Sequence, residues 1–301
     1  MTGWRMAFAS VGILLGGAVI PLLAGQMGYA MASVMVVPLM IGAIWLSLWA
    51  TRKAPRIAQP APVGLFEMFG LVIGNRAFTT LVLLYGVMTL AIALITAGLP
   101  FAAIYLIVDS GDTALSGAAA ALSTLSLMFA AFVLGSILSQ AVWVKLSHAL
   151  GKVAALGLGL ALYVVLLWGL YQSLPSVNVT AMAGLFVLAG MTNGAYQQIP
   201  WAMFPDLMDV TRRETGQAIE GGFSALWLFG QKLANAAAPA VLGLILAGAG
   251  WQETTDGVAE QTPMALETLR SAITLVPAGI LAAACVGLLA LYWPMQRRAL
   301  A

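Results

Sequence analysis

The strongest constraint on this chain is a succession of apolar runs almost free of charge, each long enough to cross a lipid bilayer. A hydrocarbon core about 30 Å thick takes roughly 20 apolar residues of helix. Counted against that length, the sequence offers eight spans: 4–24, 29–50, 77–108, 117–144, 153–171, 179–204, 221–249 and 271–294. The fifth and sixth share one uncharged run, divided at 172–178, where Pro175 and polar turn formers interrupt it. Lipid offers no partners to backbone N–H and C=O groups, so each run must satisfy its own as helix. The expected fold is therefore an all-α integral membrane protein with about eight transmembrane helices.

Charge then orients the spans, because Lys and Arg near span ends are retained on the cytoplasmic side. With both termini cytoplasmic, that face holds Arg5, Arg52, Lys53, Arg56, Arg76, Lys145, Lys152, Arg212, Arg213, Arg297 and Arg298. The opposite face holds Arg270 alone, together with Asp109, Asp112, Glu253, Asp256, Glu260 and Glu267. This asymmetry supports an even number of spans; the expected location is multi-pass in a bacterial inner (plasma) membrane. Of the 13 basic residues all but Lys232 sit in short loops or at span ends, and they form no continuous stripe, so the bilayer, not nucleic acid, is the expected partner. The N-terminal run lacks a small-residue cleavage pattern and reads as a retained helix rather than a signal peptide. Cys285 is the only cysteine, so no intrachain disulfide can form.

The organisation expected is 1–50 as the last two helices of an N-terminal bundle, 51–76 as a central cytoplasmic linker, and 77–301 as a six-helix C-terminal bundle. Within the linker, 64–75 is too short to span and suits an interfacial amphipathic segment. The abundant small residues, such as Gly157, Gly159 and 236–238, fit close helix contacts in lipid. His148, the only histidine, stands in a lysine-bearing turn and reads as a solvated residue; alone it builds no metal site. The sequence has no Gly-x-Ser-x-Gly, no His-Glu-x-x-His and no membrane Asp/His pair, so an intramembrane enzyme is disfavoured.

Polar residues inside the spans are the candidates for function. At 100° per residue, Asn193, Tyr196, Gln197 and Pro200 share an arc about 100° wide, and so do Ser224, Gln231, Lys232 and Asn235. Either stripe alone is accounted for by interhelical hydrogen bonds of about 0.6–2 kcal/mol each. Lys232 is harder to account for that way. It lies about 16 Å along the helix from Gly221, near mid-depth, where a charge costs at least about 2.5 kcal/mol. No carboxylate lies within the eight spans to pair with it, so a hydrated cavity or a ligand is the economical reading. The two stripes are expected to face each other. The loop expected between them carries Asp206, Asp209, Arg212, Arg213 and Glu214, either as a cytoplasmic charge network or as ordinary solvated charge.

The string Pro205-Asp206-Leu207-Met208-Asp209, then Thr215-Gly216, Glu220-Gly221 and Gln231-Lys232, resembles the glycoside-pentoside-hexuronide:cation symporters of the major facilitator superfamily, to which melibiose permease belongs. Gly74-Asn75-Arg76-Ala77-Phe78 and 143–152 are similar to further family segments. In that register the chain corresponds to helices five to twelve. The resemblance implies that Lys232 lines the sugar and cation pathway, and that Asp206, Asp209, Arg212, Arg213 and Glu220 form a cytoplasmic gating loop. It implies that Arg5 contacts sugar, an alternative to its role as a positive-inside anchor. Ala218 stands where the family motif has Arg, and Gln197 where melibiose permease has a stacking Trp, although Tyr196 beside it offers an aromatic face.

The function expected is therefore a sugar or glycoside symporter coupled to Na⁺ or H⁺, with no other cofactor and with Lys232, Asn193, Tyr196, Gln197, Asn235 and Arg5 along the pathway. The family's first four helices, with their cation-binding aspartates, have no counterpart here, so the chain is expected to be truncated and to need those helices. The alternatives are a non-transporting membrane remnant or regulatory partner, and a carrier of an amphiphilic lipid.

Overall fold

A computed structural model describes residues 9, 12, 13, 15, 16, 20–53, 64–216, 220–254 and 258–300. Its helices are α1 (Ile20–Thr51, broken at Gly28), α2 (Leu65–Gly74), α3 (Arg76–Tyr105), α4 (Ser116–Leu122), α5 (Thr124–Leu150), α6 (Lys152–Ser173), α7 (Val179–Thr215), α8 (Glu220–Gly248), α9 (Pro263–Ile273), α10 (Leu275–Gly287) and α11 (Trp293–Leu300). A π-helical turn, Leu288–Tyr292, joins the last two, so α9 to α11 act as one long span. Seven helices among the described residues are long and apolar enough to cross a membrane. No strand occurs among those residues, and the fold is all-α and membrane-spanning. About half of the first expected span, Arg5 included, falls outside the described residues.

From α3 onward the spans run alternately between a basic end (Arg76, Lys152, Arg212, Arg297) and an acidic end (Asp109, Glu253, Glu267). Their outward faces are apolar, with Leu83, Val165 and Leu244 exposed, as suits lipid contact. The tightest crossing is α5 against α7. A methyl group at Gly135 would run into the Val187 carbonyl, and one at Gly190 into the Phe132 carbonyl, so both positions must lack a side chain. Ser136 Oγ donates to the Gly190 carbonyl at 2.9 Å, and Trp143 Nε1 to the Met191 carbonyl at 2.7 Å. Gly159 of α6 admits Ala195 of α7 in the same manner. This is small-residue packing of the kind that lets membrane helices approach closely. Elsewhere α8 packs on α3, and α10 packs on α6 and α3.

Several joints are short. Gly151 alone separates α5 from α6 at φ +86°, a conformation that suits glycine because it has no Cβ. Asn75 alone separates α2 from α3; its side chain accepts from Phe78 N and donates to Thr211 Oγ1 of α7 at 2.8 Å. The segment expected at the interface is thus the helix α2, with Val72 fully buried and Met68 packed against Gly222 of α8. At the acidic end, Arg270 ties α9 to the end of α6. Its Nε donates to the Tyr171 carbonyl at 2.8 Å and its Nη1 to Glu267 at 2.9 Å, and Glu267 also accepts from the Tyr171 hydroxyl at 2.6 Å.

In contrast, α1 buries only Ala32 among its residues from Ala30 to Thr51. Trp45, Leu46 and Leu48 are each at least 65% exposed.

The α5–α7 crossing gives a direct test. Gly135→Ala and Gly190→Ala should each lower stability in detergent by about 1–3 kcal/mol through overpacking, read as a lower unfolding midpoint. Gly184→Ala, whose added Cβ meets nothing within 4 Å, should leave the midpoint unchanged or raised.

Candidate functional site

The polar residues of the spans converge on Tyr85 of α3. Its ring stacks on Trp227 of α8 (centroids 4.1 Å apart, planes 12° apart) and on Tyr196 of α7 (5.6 Å, 21°). Its hydroxyl oxygen accepts from Trp201 Nε1 at 3.1 Å and from Gln231 Nε2 at 3.0 Å. Thr89, one turn along α3, shares a 2.8 Å hydrogen bond with the Tyr196 hydroxyl and donates to the Tyr85 carbonyl at 2.7 Å. Phe204 stacks on the far side of the group against Trp227. Five aromatic rings and one amide thus hold α3, α7 and α8 together about 14 Å along α3 from Arg76, close to mid-depth. Aromatic side chains suit this position because they bring large apolar area and a polar tip that must find a partner.

A second polar set lies between α5 and α7. Ser136 and Gln140 are four residues apart, as are Asn193 and Gln197, so each pair presents one helix face to the other. Asn193 Nδ2 donates to Ser136 Oγ at 3.3 Å, and Gln140 Nε2 to Gln197 Oε1 at 3.5 Å. Asn193 Oδ1 and Gln140 Oε1 of this set are buried without a hydrogen-bond partner among the described residues. A buried amide oxygen normally has one. The site thus keeps acceptors that can take a hydroxyl, a water or a cation.

The expected facing of the two stripes is not what the structure has. α8 packs on α3 rather than on α7, so Tyr85 stands between Gln231 and the Tyr196 turn. Tyr196 and Asn193 are buried, Gln197 is half-buried, and Ser224, Lys232 and Asn235 are exposed on the outward side of α8. Asn235 Nδ2 donates to the Gln231 carbonyl at 3.0 Å. Lys232 forms no ion pair among the described residues and is flanked by exposed Phe229 and Leu233. A charge at this depth cannot face hydrocarbon cheaply, so this side of α8 must meet protein or water.

The loop expected at the basic end is mostly helix. α7 continues through Asp206, Asp209, Arg212 and Arg213 and ends where Gly216 turns left-handed, its N–H bonded to the Arg212 carbonyl at 2.8 Å. An apolar run ends where the bilayer ends, but a helix in water continues until a residue breaks it. The charges divide into two separate pairs. Asp206 pairs with Lys152 of α6 at 2.6 Å, and the same ammonium donates to the Ala202 carbonyl at 2.8 Å. Arg212 pairs with Glu220 of α8 at 2.8 Å. Asp209 and Arg213 are exposed and form no ion pair among the described residues.

Sequence reasoning missed Tyr85, Thr89, Ser136, Gln140, Trp201 and Trp227 as members of these sets. The matching four-residue spacing of Ser136/Gln140 and Asn193/Gln197 was a signal that could have found two of them. No group of three or more His, Cys, Asp or Glu side chains able to hold a metal occurs among the described residues.

A protein family described as MFS/sugar transport protein matches residues 1–294. An uncharacterized symporter of Synechocystis sp. (strain ATCC 27184 / PCC 6803 / Kazusa) is 30% identical over 158 residues, 52% of this chain. The match spans only 28% of that protein's length.

The hub can be dissected by a double-mutant cycle. Tyr85→Phe and Gln231→Leu should each destabilise the protein in detergent, with a coupling of about 0.6–2 kcal/mol if they share the observed hydrogen bond. A coupling of zero in unfolding titrations would mean that the bond carries no energy.

Proposed function

The chain belongs to the MFS/sugar transport protein family, and on that premise we propose that it forms the larger part of a sugar or glycoside symporter coupled to Na⁺ or H⁺. The observation that carries this reading is Lys232, unpaired among the described residues and exposed near mid-depth, one residue from Gln231, which is tied to the Tyr85 hub. An ammonium has three donors for sugar hydroxyls, and Asn235 one turn away adds an amide. The amide oxygens of Asn193 and Gln140 supply acceptors deeper in the bundle. Transport would follow from rocking of two bundles about this midplane site: 1–50 belonging to one, 77–301 forming the other, and 51–76 linking them. The ion pairs Asp206–Lys152 and Arg212–Glu220 then brace the basic end of the second bundle, and Arg5 remains a candidate sugar contact.

No carboxylate among the described residues lies near Lys232 at mid-depth, so coupling needs acidic groups on further helices. The open face of α8 around Lys232 supports the same requirement, because a charge at that depth needs protein or water beside it. The chain alone is then inactive. That open face equally favours a second reading, a non-transporting partner that docks on another membrane protein.

Uptake of labelled sugars separates the two. Cells expressing this chain together with the first four helices of a related symporter should accumulate substrate under a Na⁺ or H⁺ gradient, and cells with the chain alone should not. In the active pairing, Lys232→Ala should lower uptake about 10- to 100-fold, the value of a charge-assisted hydrogen bond, and Lys232→Arg should retain part of it. Unchanged uptake and ion dependence in Lys232→Ala would reject the assignment; no uptake in any pairing would favour the docking partner.

A further inference from the structure

At the basic end, where α6 begins, a cavity of about 470 Å³ opens between the α5–α6 turn, α7 and α11. Gly151, Lys152, Asp206, Trp293, Gln296 and Arg297 all line it. Three features give it positive character. The first turn of α6 has no side-chain cap, because Gly151 occupies the capping position, so the leading N–H groups of Lys152, Val153 and Ala154 have no capping side chain, and all three residues line the cavity. Lys152 uses two of its three donors on Asp206 and the Ala202 carbonyl, which leaves one. Arg297 is exposed, with its guanidinium carbon 4.8 Å above the centre of the Trp293 ring.

Asp206 is the one carboxylate on the lining and is neutralised by Lys152, so Arg297 and the helix terminus set the sign of the field.

Gln296 supplies the independent sign of a ligand. Its side chain is only 9% exposed, it lines the cavity, and it has no hydrogen-bond partner among the described residues. The residue is nine-tenths buried while its amide lines the cavity, so its donors and acceptor are left for whatever occupies that space. We propose that the Lys152–Gln296–Arg297 cavity holds the phosphate of an anionic phospholipid headgroup. The N–H groups of α6 and the Arg297 fork would donate to the phosphate oxygens, and the Gln296 amide would hydrogen-bond the phosphate or glycerol hydroxyls. The source is lipid rather than free phosphate because the cavity lies at the basic end of a membrane span, with Trp293 at the depth where such rings meet headgroups. The exposed Leu150 on its rim continues to an apolar surface for the acyl chains.

Native mass spectrometry tests this on the full chain extracted from vesicles of phosphatidylethanolamine and phosphatidylglycerol. Phosphatidylglycerol should remain bound, and Gln296→Leu and Arg297→Gln should each weaken retention about five- to tenfold. Arg297→Lys should restore most of it, and Lys145→Gln, which neutralises a basic residue off the cavity, should leave it unchanged. Without phosphatidylglycerol, Gln296→Leu should be at least as thermally stable as the parent, which separates loss of ligand from loss of fold. The proposal fails if both cavity variants retain lipid like the parent, or if Lys145→Gln loses as much as Arg297→Gln, which would mean diffuse surface charge. Inorganic phosphate that alone stabilises the parent and displaces phosphatidylglycerol would assign the cavity to free phosphate and overturn the lipid assignment.

Discussion

Between the backbones of α5 and α7 there is no room for a side chain, and that crossing fixes the rest of the bundle. Gly135 faces the Val187 carbonyl and Gly190 faces the Phe132 carbonyl, so the two helices have one register and one angle available. Hydrophobic burial cannot supply that specificity in lipid, where leaving a neighbour exposes a side chain to an equally apolar solvent. Close backbone approach can. It brings Ser136 under Gly190 and Trp143 under Met191, and it opposes Gln140 to Gln197. The polar cluster is thus a consequence of the same contact that holds the helices, since side chains on that narrow face have only each other to bond with.

The Tyr85 hub performs the corresponding task for α8. That helix lacks a close glycine crossing to α7 and leans on α3 instead. Tyr85 serves both partners, accepting from Trp201 on α7 and from Gln231 on α8. Because Gln231 turns inward to reach it, Lys232, 100° further round the helix, is directed outward. The exposure of the lysine therefore follows from the hydrogen bond of its neighbour. The bonding of the bundle interior and the chemistry of its open face are set by one turn of helix.

What the sequence disclosed and what it concealed divide along a physical line. Run length and apolarity located the spans, because bilayer thickness is a property of the solvent rather than of the partner helices. The same criterion ended α7 at 204, eleven residues short of its end at Thr215, since a helix beyond the bilayer needs only a chain without breakers. Gly216 was the informative residue there. Lys232 was legible because a midplane charge is conspicuous in any context. Tyr85, Trp201 and Trp227 were not, because aromatic residues are ordinary in membrane spans and nothing in a linear pattern shows three of them meeting. The facing of the stripes failed for a related reason. Angular arcs assign residues to one face of their own helix, and which helix meets that face is decided by where glycine and alanine permit approach.

The distribution of charge at the two ends carries one further step. A surplus of Lys and Arg at one end orients the chain but does not say which of them is committed. Arg270 at the acidic end is consumed by the α6 terminus and Glu267, and Lys152 at the basic end by Asp206 and the Ala202 carbonyl. Each closes a helix end against a neighbour and so sets where along its axis that helix is held. Lys232 has no such commitment among the described residues. In a medium where a charge at mid-depth must be answered, a cation there without an ion pair among the described residues marks a face that has to meet protein, water or a ligand.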